Sequence, residues 1–322
     1  MKFLLATTVL VCAANAFTFP RHSTIPASNT RLHAASGPPQ YDKIEATLRH
    51  AEKVDNGNGS SVMLRIDTRE AIEYEPGHVI ALEIQDAEDN TLDADSKTST
   101  DAQENGGWMR GPYTVSRSTE HSLDVLMKVV GEKSKRFASA EVGTPVRFGG
   151  KFKVPILEGI SNDTTKRVVF VSTGVGVGPC IGAIEKALLE EESSFPPIDL
   201  IASYRTEEEI VSKEHLDRLQ EKHPDKFSWK TIVSNEQGRL SSSDNLKELT
   251  STKFDCEFDN THYHLIGNGQ MVSEFKQGLQ KAGVSDDKVT VEMYFNHKAD
   301  VDAEAVERIA AAVMETATAS VV

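Results

Sequence analysis

Cysteine is scarce: three in 322 residues, at positions 12, 180 and 256. Spaced so widely, they make neither a disulfide framework nor a zinc site. Long apolar runs are also missing, since none reaches the roughly 18 residues of a membrane span. The longest apolar stretch, MKFLLATTVLVCAANA, begins the chain, with Lys2 ahead of it and Ala14-Asn15-Ala16 closing it. Such a layout predicts a cleavable signal peptide over residues 1–16. Acids are absent from the next stretch, FTFPRHSTIPASNTRLHAAS, which carries Arg21, Arg31 and several hydroxyl residues. That composition predicts a transit-peptide-like segment over 17–36. Basic residues are the last shortage: 35 Lys and Arg against 49 Asp and Glu, a net charge of −14. Without residues 1–34 the chain holds 32 basic against 49 acidic groups, or −17, a sign that disfavours nucleic acid as a partner.

A signal followed by Phe17 and a transit-like segment resembles the two-part leaders of algae with complex plastids. That implies the plastid stroma, with secretion as the alternative. Cys180 and Cys256, which remain after Cys12 leaves with the leader, suit a reducing compartment.

Two rhythms divide the rest. From Tyr41 to Pro155 short strand-length runs follow one another (SSVMLRID, HVIALEIQ, YTVSRS, SLDVLMKVV, TPVRFGG), with no helix of four turns among them. This pattern predicts an all-β antiparallel barrel over residues 40–160. It is interrupted at 86–107 by a polar stretch read as a mobile surface loop. From about 165 to 297 strand patterns alternate with helical ones, which predicts an α/β domain with a parallel sheet. Residues 298–322 form a tail whose periodicity fits a helix with one apolar face.

Between the first strand and helix of that second domain lies VVFVSTGVGVGPCIGAIEKAL, residues 168–188. A Rossmann fingerprint needs a glycine where Pro179 stands, and a Walker loop needs Gly-Lys-Ser/Thr, which is absent. What remains is a run of backbone N–H groups free of side chains, suited to a pyrophosphate, with Pro179 at a position that needs no N–H. Cys180, just inside the helix, is either a thiol of lowered pKa or a packing residue.

Three further stretches add meaning: Arg110-Gly111-Pro112-Tyr113-Thr114, Ile266-Gly267-Asn268-Gly269-Gln270-Met271 and Glu292-Met293-Tyr294. With the glycine loop and Glu75-Pro76-Gly77-His78, they make the chain resemble the ferredoxin–NADP reductase family over residues 42–296. The resemblance implies an FAD-dependent NAD(P)H oxidoreductase. In it Arg110 pairs with the FAD pyrophosphate, Tyr113 lies on the flavin and Thr114 bonds near its reactive nitrogen. Gly131 and Ser134, in a Gly-x-x-Ser turn, also meet the pyrophosphate. Thr173, Gly174, Gly176, Gly178 and Pro179 cradle NADP, or NAD, while Gly267, Asn268 and Met271 close over it. Arg205 approaches its ribose and phosphates, and Ser234, with Arg239 in place of the arginine missing at Asn235, holds a 2′-phosphate. Glu292 relays a proton at the flavin edge, so Thr114 and Glu292 are the catalytic candidates. Ile266 stands where the family has a cysteine, which predicts slower hydride transfer.

Residues 110–155 hold nine basic side chains against four acids. On an acidic chain this predicts steering of an acidic electron carrier, a ferredoxin or flavodoxin. A different acceptor (a haem domain, a quinone, a metal centre) and a flavin-binding assembly protein without turnover stay open.

Overall fold

The computed structural model describes residues 41–57, 59–85, 106–158, 160, 164–189, 195–250, 260–295 and 300–319. The two leader segments, most of the 86–107 stretch and Cys256 therefore lie outside the described residues. Tyr41–Val322 form one compact unit.

Its first module is a closed six-stranded antiparallel barrel of β1 (Ile44–Lys53), β2 (Ser61–Thr68), β3 (Val79–Gln85), β4 (Trp108–Thr119), β5 (Ser122–Lys128) and β6 (Pro145–Gly149). Alternation sends Leu48, Leu64, Ile66, Ile80, Leu82, Ile84 and Met109 into the core and their neighbours outward. A two-turn helix, α1 (Glu132–Ala138), plugs one end with Phe137.

The second module is a five-stranded parallel sheet of β7 (Arg167–Thr173), β8 (Ile198–Tyr204), β9 (Phe227–Val233), β10 (Thr261–Asn268) and β11 (Val289–Phe295), in the order β11-β10-β7-β8-β9. Its helices are α2 (Val177–Leu189), α3 (Lys213–Lys222), α4 (Ser234–Gln237), α5 (Ser243–Thr250), α6 (Gly269–Lys281) and α7 (Ala303–Ala319). β7 and β8 are almost wholly buried, as strands covered on both faces must be. The strand order reverses between β7 and β10, so the C-terminal ends of those two strands mark the switch point of the sheet, the usual place for a ligand crevice. The tail is helical, as its periodicity predicts, and packs on α6, where Ile309 fills the space left by Gly278.

One helix starts later than the sequence suggests. EEEIVSKEHLDRLQEK reads as a single helix, but Val211 bridges back to Asp55 of the barrel. Ser212 then takes a left-handed φ of 52°, and α3 begins at Lys213.

The modules meet where α2 lies against β4 and β5. A Cβ on Gly182 would stand 1.7 Å from the Ser116 carbonyl oxygen, and one on Gly178 2.6 Å from Ser116 Oγ. Both are far inside contact distance, so only glycine lets helix and strand backbones touch. Ion pairs flank the seam: Arg117 forks onto Glu185 at 2.5 and 2.7 Å, and Lys128 reaches Glu209 at 3.0 Å.

Candidate functional site

Two loops converge at the crevice. Thr173 ends β7, and its Oγ1 accepts a hydrogen bond of 2.8 Å from the Asn268 amide at the end of β10. Gly267 has φ +129° there, and a Cβ on it would overlap Thr173 Oγ1 at 2.2 Å. Asn268 in turn caps α6, its Oδ1 accepting from Gln270 N at 2.9 Å. Thr173 and Asn268 thus tie the loops together.

The three glycines after Thr173 serve different ends. Gly174 is left-handed (φ +53°) with nothing within 4 Å of a Cβ, so its backbone lies bare. Gly176 makes room for the Ile266 carbonyl, 2.9 Å from its would-be Cβ, and Gly178 for the barrel. Pro179 is the third residue of α2, buried, in the first turn where no intrahelical N–H is needed. Of the group read as a phosphate cradle, the structure leaves Gly174 open and gives Gly176 and Gly178 packing roles. Cys180 is fully buried, its Sγ donates to Gly176 O at 3.5 Å and burial pushes the thiol pKa up; it is a packing residue.

A pocket of about 350 Å³ opens along the strand ends, lined by Thr173, Arg205, Ser234, Arg239, Asn268 and Met271 among others. Residues far apart in sequence, each singled out for a nucleotide, share one cavity. The sequence reading missed four more of its polar residues: Ser203, Ser241, Gln270 and Glu274. Gln270 and Glu274 sit one turn apart on α6 and bond at 2.8 Å, a spacing visible in the sequence. A larger cavity, about 710 Å³, lies between the barrel and the outer half of α2. None of the Thr173–Gly178 or Gly267–Met271 residues lines it, and several of its charges are paired with one another (Arg65 with Asp124, Arg117 with Glu185, Lys186 with Glu75).

At the seam the barrel meets β11. Thr114 Oγ1 donates to Glu292 Oε1 at 2.5 Å, with both residues buried, 7% and 4% exposed. Tyr294, two residues on and on the same strand face, shares hydrogen bonds with both. Burial raises the Glu292 pKa, against the opposing pull of the Thr114 hydrogen bond and of Lys153. It also drives the Tyr294 phenol well up. Ile266 lies beside Glu292 in register and is fully buried. A carboxyl whose burial favours the protonated form, touching two hydroxyls, is placed to exchange a proton with them.

On β4 the arginine motif splits. In an extended strand neighbours alternate faces, so Arg110 and Tyr113, three apart, point oppositely. Arg110 lies over the Tyr41 ring, 5.8 Å from its centroid, beside Glu83. Tyr113 is half-buried, edge-on to Phe137 at 5.7 Å, and burial lifts its phenol to about 12. Lys133 takes the space over Gly111, its Cδ 3.3 Å from the would-be Cβ, and its Nζ donates to the Arg110 carbonyl. The Ser134 hydroxyl closes its own turn, accepting from Val130 N and Gly131 N at 2.9 and 3.0 Å and donating to Gly131 O. Gly131 has nothing within 4 Å of a Cβ.

Comparison with known proteins agrees with this layout. Residues 170–277 match the oxidoreductase NAD-binding domain family. A ferredoxin NADP+ reductase from Neisseria gonorrhoeae, solved with bound FAD and NADP, superposes with a TM-score of 0.62 at 18% identity, over 79% of this chain and 99% of that one. The chain shares the two-module fold of the ferredoxin–NADP reductases. The cytochrome b5 reductase domain of Ulva prolifera nitrate reductase shares the fold, with a TM-score of 0.58 at 17% identity over 78% of this chain and 97% of the domain. So does a Malassezia yamatoensis flavohemoglobin, at 0.61 and 18%, over 79% of this chain and 60% of that one. In sequence, an NADH nitrate reductase of Volvox carteri is 31% identical over 150 residues, 40% of this chain. The reductase fold spans only a part of these longer relatives: the chain covers 17% of that nitrate reductase.

Proposed function

We propose that the chain is an FAD-dependent oxidoreductase that takes hydride from NADPH and passes electrons to an acidic carrier protein. The observation that carries this reading is the pairing of the buried Thr114–Glu292 hydrogen bond, Tyr294 beside it, with an arginine-bearing pocket at the end of the same sheet. FAD, when bound, supplies the chemistry: it accepts a hydride and releases single electrons. The residues fit such a group. Gly131 and Gly174 offer backbone bare of side chains, and Tyr113 offers a half-buried ring at the barrel mouth. Thr114 and Glu292 would hold a proton at Glu292 Oε1 beside the reacting edge, while the apolar packing around Ile266 excludes water.

NADPH is favoured over NADH by the pocket lining. Arg205 and Arg239 bring two guanidinium groups and Ser203, Ser234 and Ser241 three hydroxyls, a donor set suited to a 2′-phosphate. β8 ends at Tyr204 and is followed by Arg205 rather than by the acid that would hold a free 2′-hydroxyl. Glu274, the carboxylate in the lining, is occupied by Gln270 Nε2 and the Asp302 amide.

Ion pairing narrows the docking surface. Of the nine basic residues in 110–155, Arg117, Lys128 and Arg147 are neutralised by Glu185, Glu209 and Glu83. Arg110, Lys133, Lys135, Arg136, Lys151 and Lys153 make no ion pair among the described residues. These six supply the field for an acidic ferredoxin or flavodoxin, which salt would screen over ~10 Å. The leader composition supports a stromal address, tested by following residues 1–40 fused to a fluorescent protein in an alga with complex plastids.

Anaerobic mixing of the purified chain with NADPH and with NADH tests the whole reading. Rapid bleaching of a yellow protein by NADPH, and slower bleaching by NADH, is expected; a protein that binds no flavin overturns it. A haem domain as acceptor is the second reading, favoured by the likeness in fold to a flavohemoglobin and to the cytochrome b5 reductase domain of a nitrate reductase. It predicts fast reduction of a b-type haem protein and none of a ferredoxin.

A further inference from the structure

Arg239 is exposed, on the short connection Gly238–Ser242 between α4 and α5. A long side chain on such a loop recognises a phosphate well only if the loop is already fixed, since ordering it on binding costs affinity. The structure shows what fixes it. Asn245, 5% exposed on α5, aims its side-chain amide at three successive carbonyls, of Gln237, Gly238 and Arg239, at 3.1, 3.2 and 2.8 Å. Gly238 makes the turn possible with φ +78°. Upstream, Gln237 Oε1 accepts from Val233 N at 2.7 Å, and the Asn235 amide donates to the Arg205 carbonyl at 3.1 Å. The strand ends carrying the two pocket arginines are thereby joined.

The far end of the loop is held by the C-terminal helix. Arg308 of α7 donates from Nε to the Ser241 carbonyl at 3.1 Å and is itself steadied by Asp302 and Glu304 at 3.7 and 3.6 Å. The Asp302 amide donates to Glu274 Oε1 at 3.3 Å, so the same segment also braces the opposite wall.

We propose that Asn245 and Arg308 are positioning residues for coenzyme choice: they hold the Gly238–Ser242 loop so that Arg239 stands ready for a 2′-phosphate. The proposal rests on the NADPH reading above. Neither residue lines the pocket itself; each acts through the loop backbone.

The test is calorimetric titration of the mature chain with 2′,5′-ADP and with ADP, which differ by the 2′-phosphate. The wild type binds 2′,5′-ADP more tightly. Asn245→Ser weakens 2′,5′-ADP about tenfold and ADP less than twofold, and Arg308→Gln acts in the same direction by about threefold. Arg239→Gln removes the preference, and adding Asn245→Ser to it costs nothing more, because coupled residues are not additive. Equal weakening of both ligands, or full additivity in the double variant, overturns the proposal. Should Asn245→Ser not fold, Arg308→Gln carries the test alone, and an unchanged preference overturns it. A wild type that does not distinguish the two ligands brings down the NADPH reading, and this proposal with it. A wild type that does, with variants that still do, brings down this proposal only.

Discussion

At the seam, Thr114 and Glu292 are buried, the half-buried Tyr294 bonds to both, and glycines let helix and barrel backbones touch. At the sheet edge, Arg205, Arg239 and three serines line an open pocket braced from outside by Asn245 and Arg308. On the proposed reading the first region excludes water and keeps distances fixed, and the second recognises a charged ligand and releases it. That reading assigns chemistry and recognition to different residues, so changes in one region should leave the other's observable intact.

The largest expected effect is on the seam itself. Gly182→Ala sets a Cβ 1.7 Å from a backbone oxygen that cannot swing away, and should cost about 3 kcal/mol or more. Gly174→Ala meets open space and costs only the ~1–2 kcal/mol of a left-handed φ. Denaturant melts of the pair measure this, and equal losses would mean that the seam is not backbone-tight.

Next comes the proton-holding cluster. Glu292→Gln should slow flavin reduction about 100-fold, the usual size of a lost acid–base group, and leave 2′,5′-ADP affinity unchanged. Arg239→Gln should do the converse, weakening NADPH about tenfold while the limiting rate stands.

The smallest effect, read per pH unit, is in the pH dependence of stability, where two buried sets differ in sign. Burial raises Glu292, so the folded chain keeps a proton that the unfolded chain has lost. Stability therefore falls as pH rises from the ordinary carboxylate range through the raised value, and Glu292→Gln abolishes that slope. On β10, burial lowers His262 to about 4 and His264 to about 3. Here the unfolded chain takes up protons first. Stability is full above the ordinary histidine range and falls as pH drops toward 4 and 3, by up to ~1.4 kcal/mol per pH unit for each group. Melts of a His262→Gln/His264→Gln double variant against the wild type between pH 4 and 7 check it; a parallel pair of curves would refute the assignment.

Strand patterns, the change of rhythm near residue 160 and the helical tail were legible because each is a local periodicity. Parity and space were not. Arg110 and Tyr113 read as one motif in sequence, yet three residues apart on a strand they face opposite ways. Likewise the glycine run invites a single explanation, while packing against β10 and β4 accounts for Gly176 and Gly178 and leaves Gly174 bare. Asn245 and Arg308 carry no motif at all; their part is set by carbonyls that become neighbours only after folding.

One anaerobic stopped-flow series with NADPH, on the wild type, Glu292→Gln and Arg239→Gln, tests the division of labour most directly. The account predicts that the rate at saturation collapses in Glu292→Gln alone and that the half-saturating concentration rises in Arg239→Gln alone. Both parameters moving together in both variants, or a protein that stays colourless with added FAD, would contradict it.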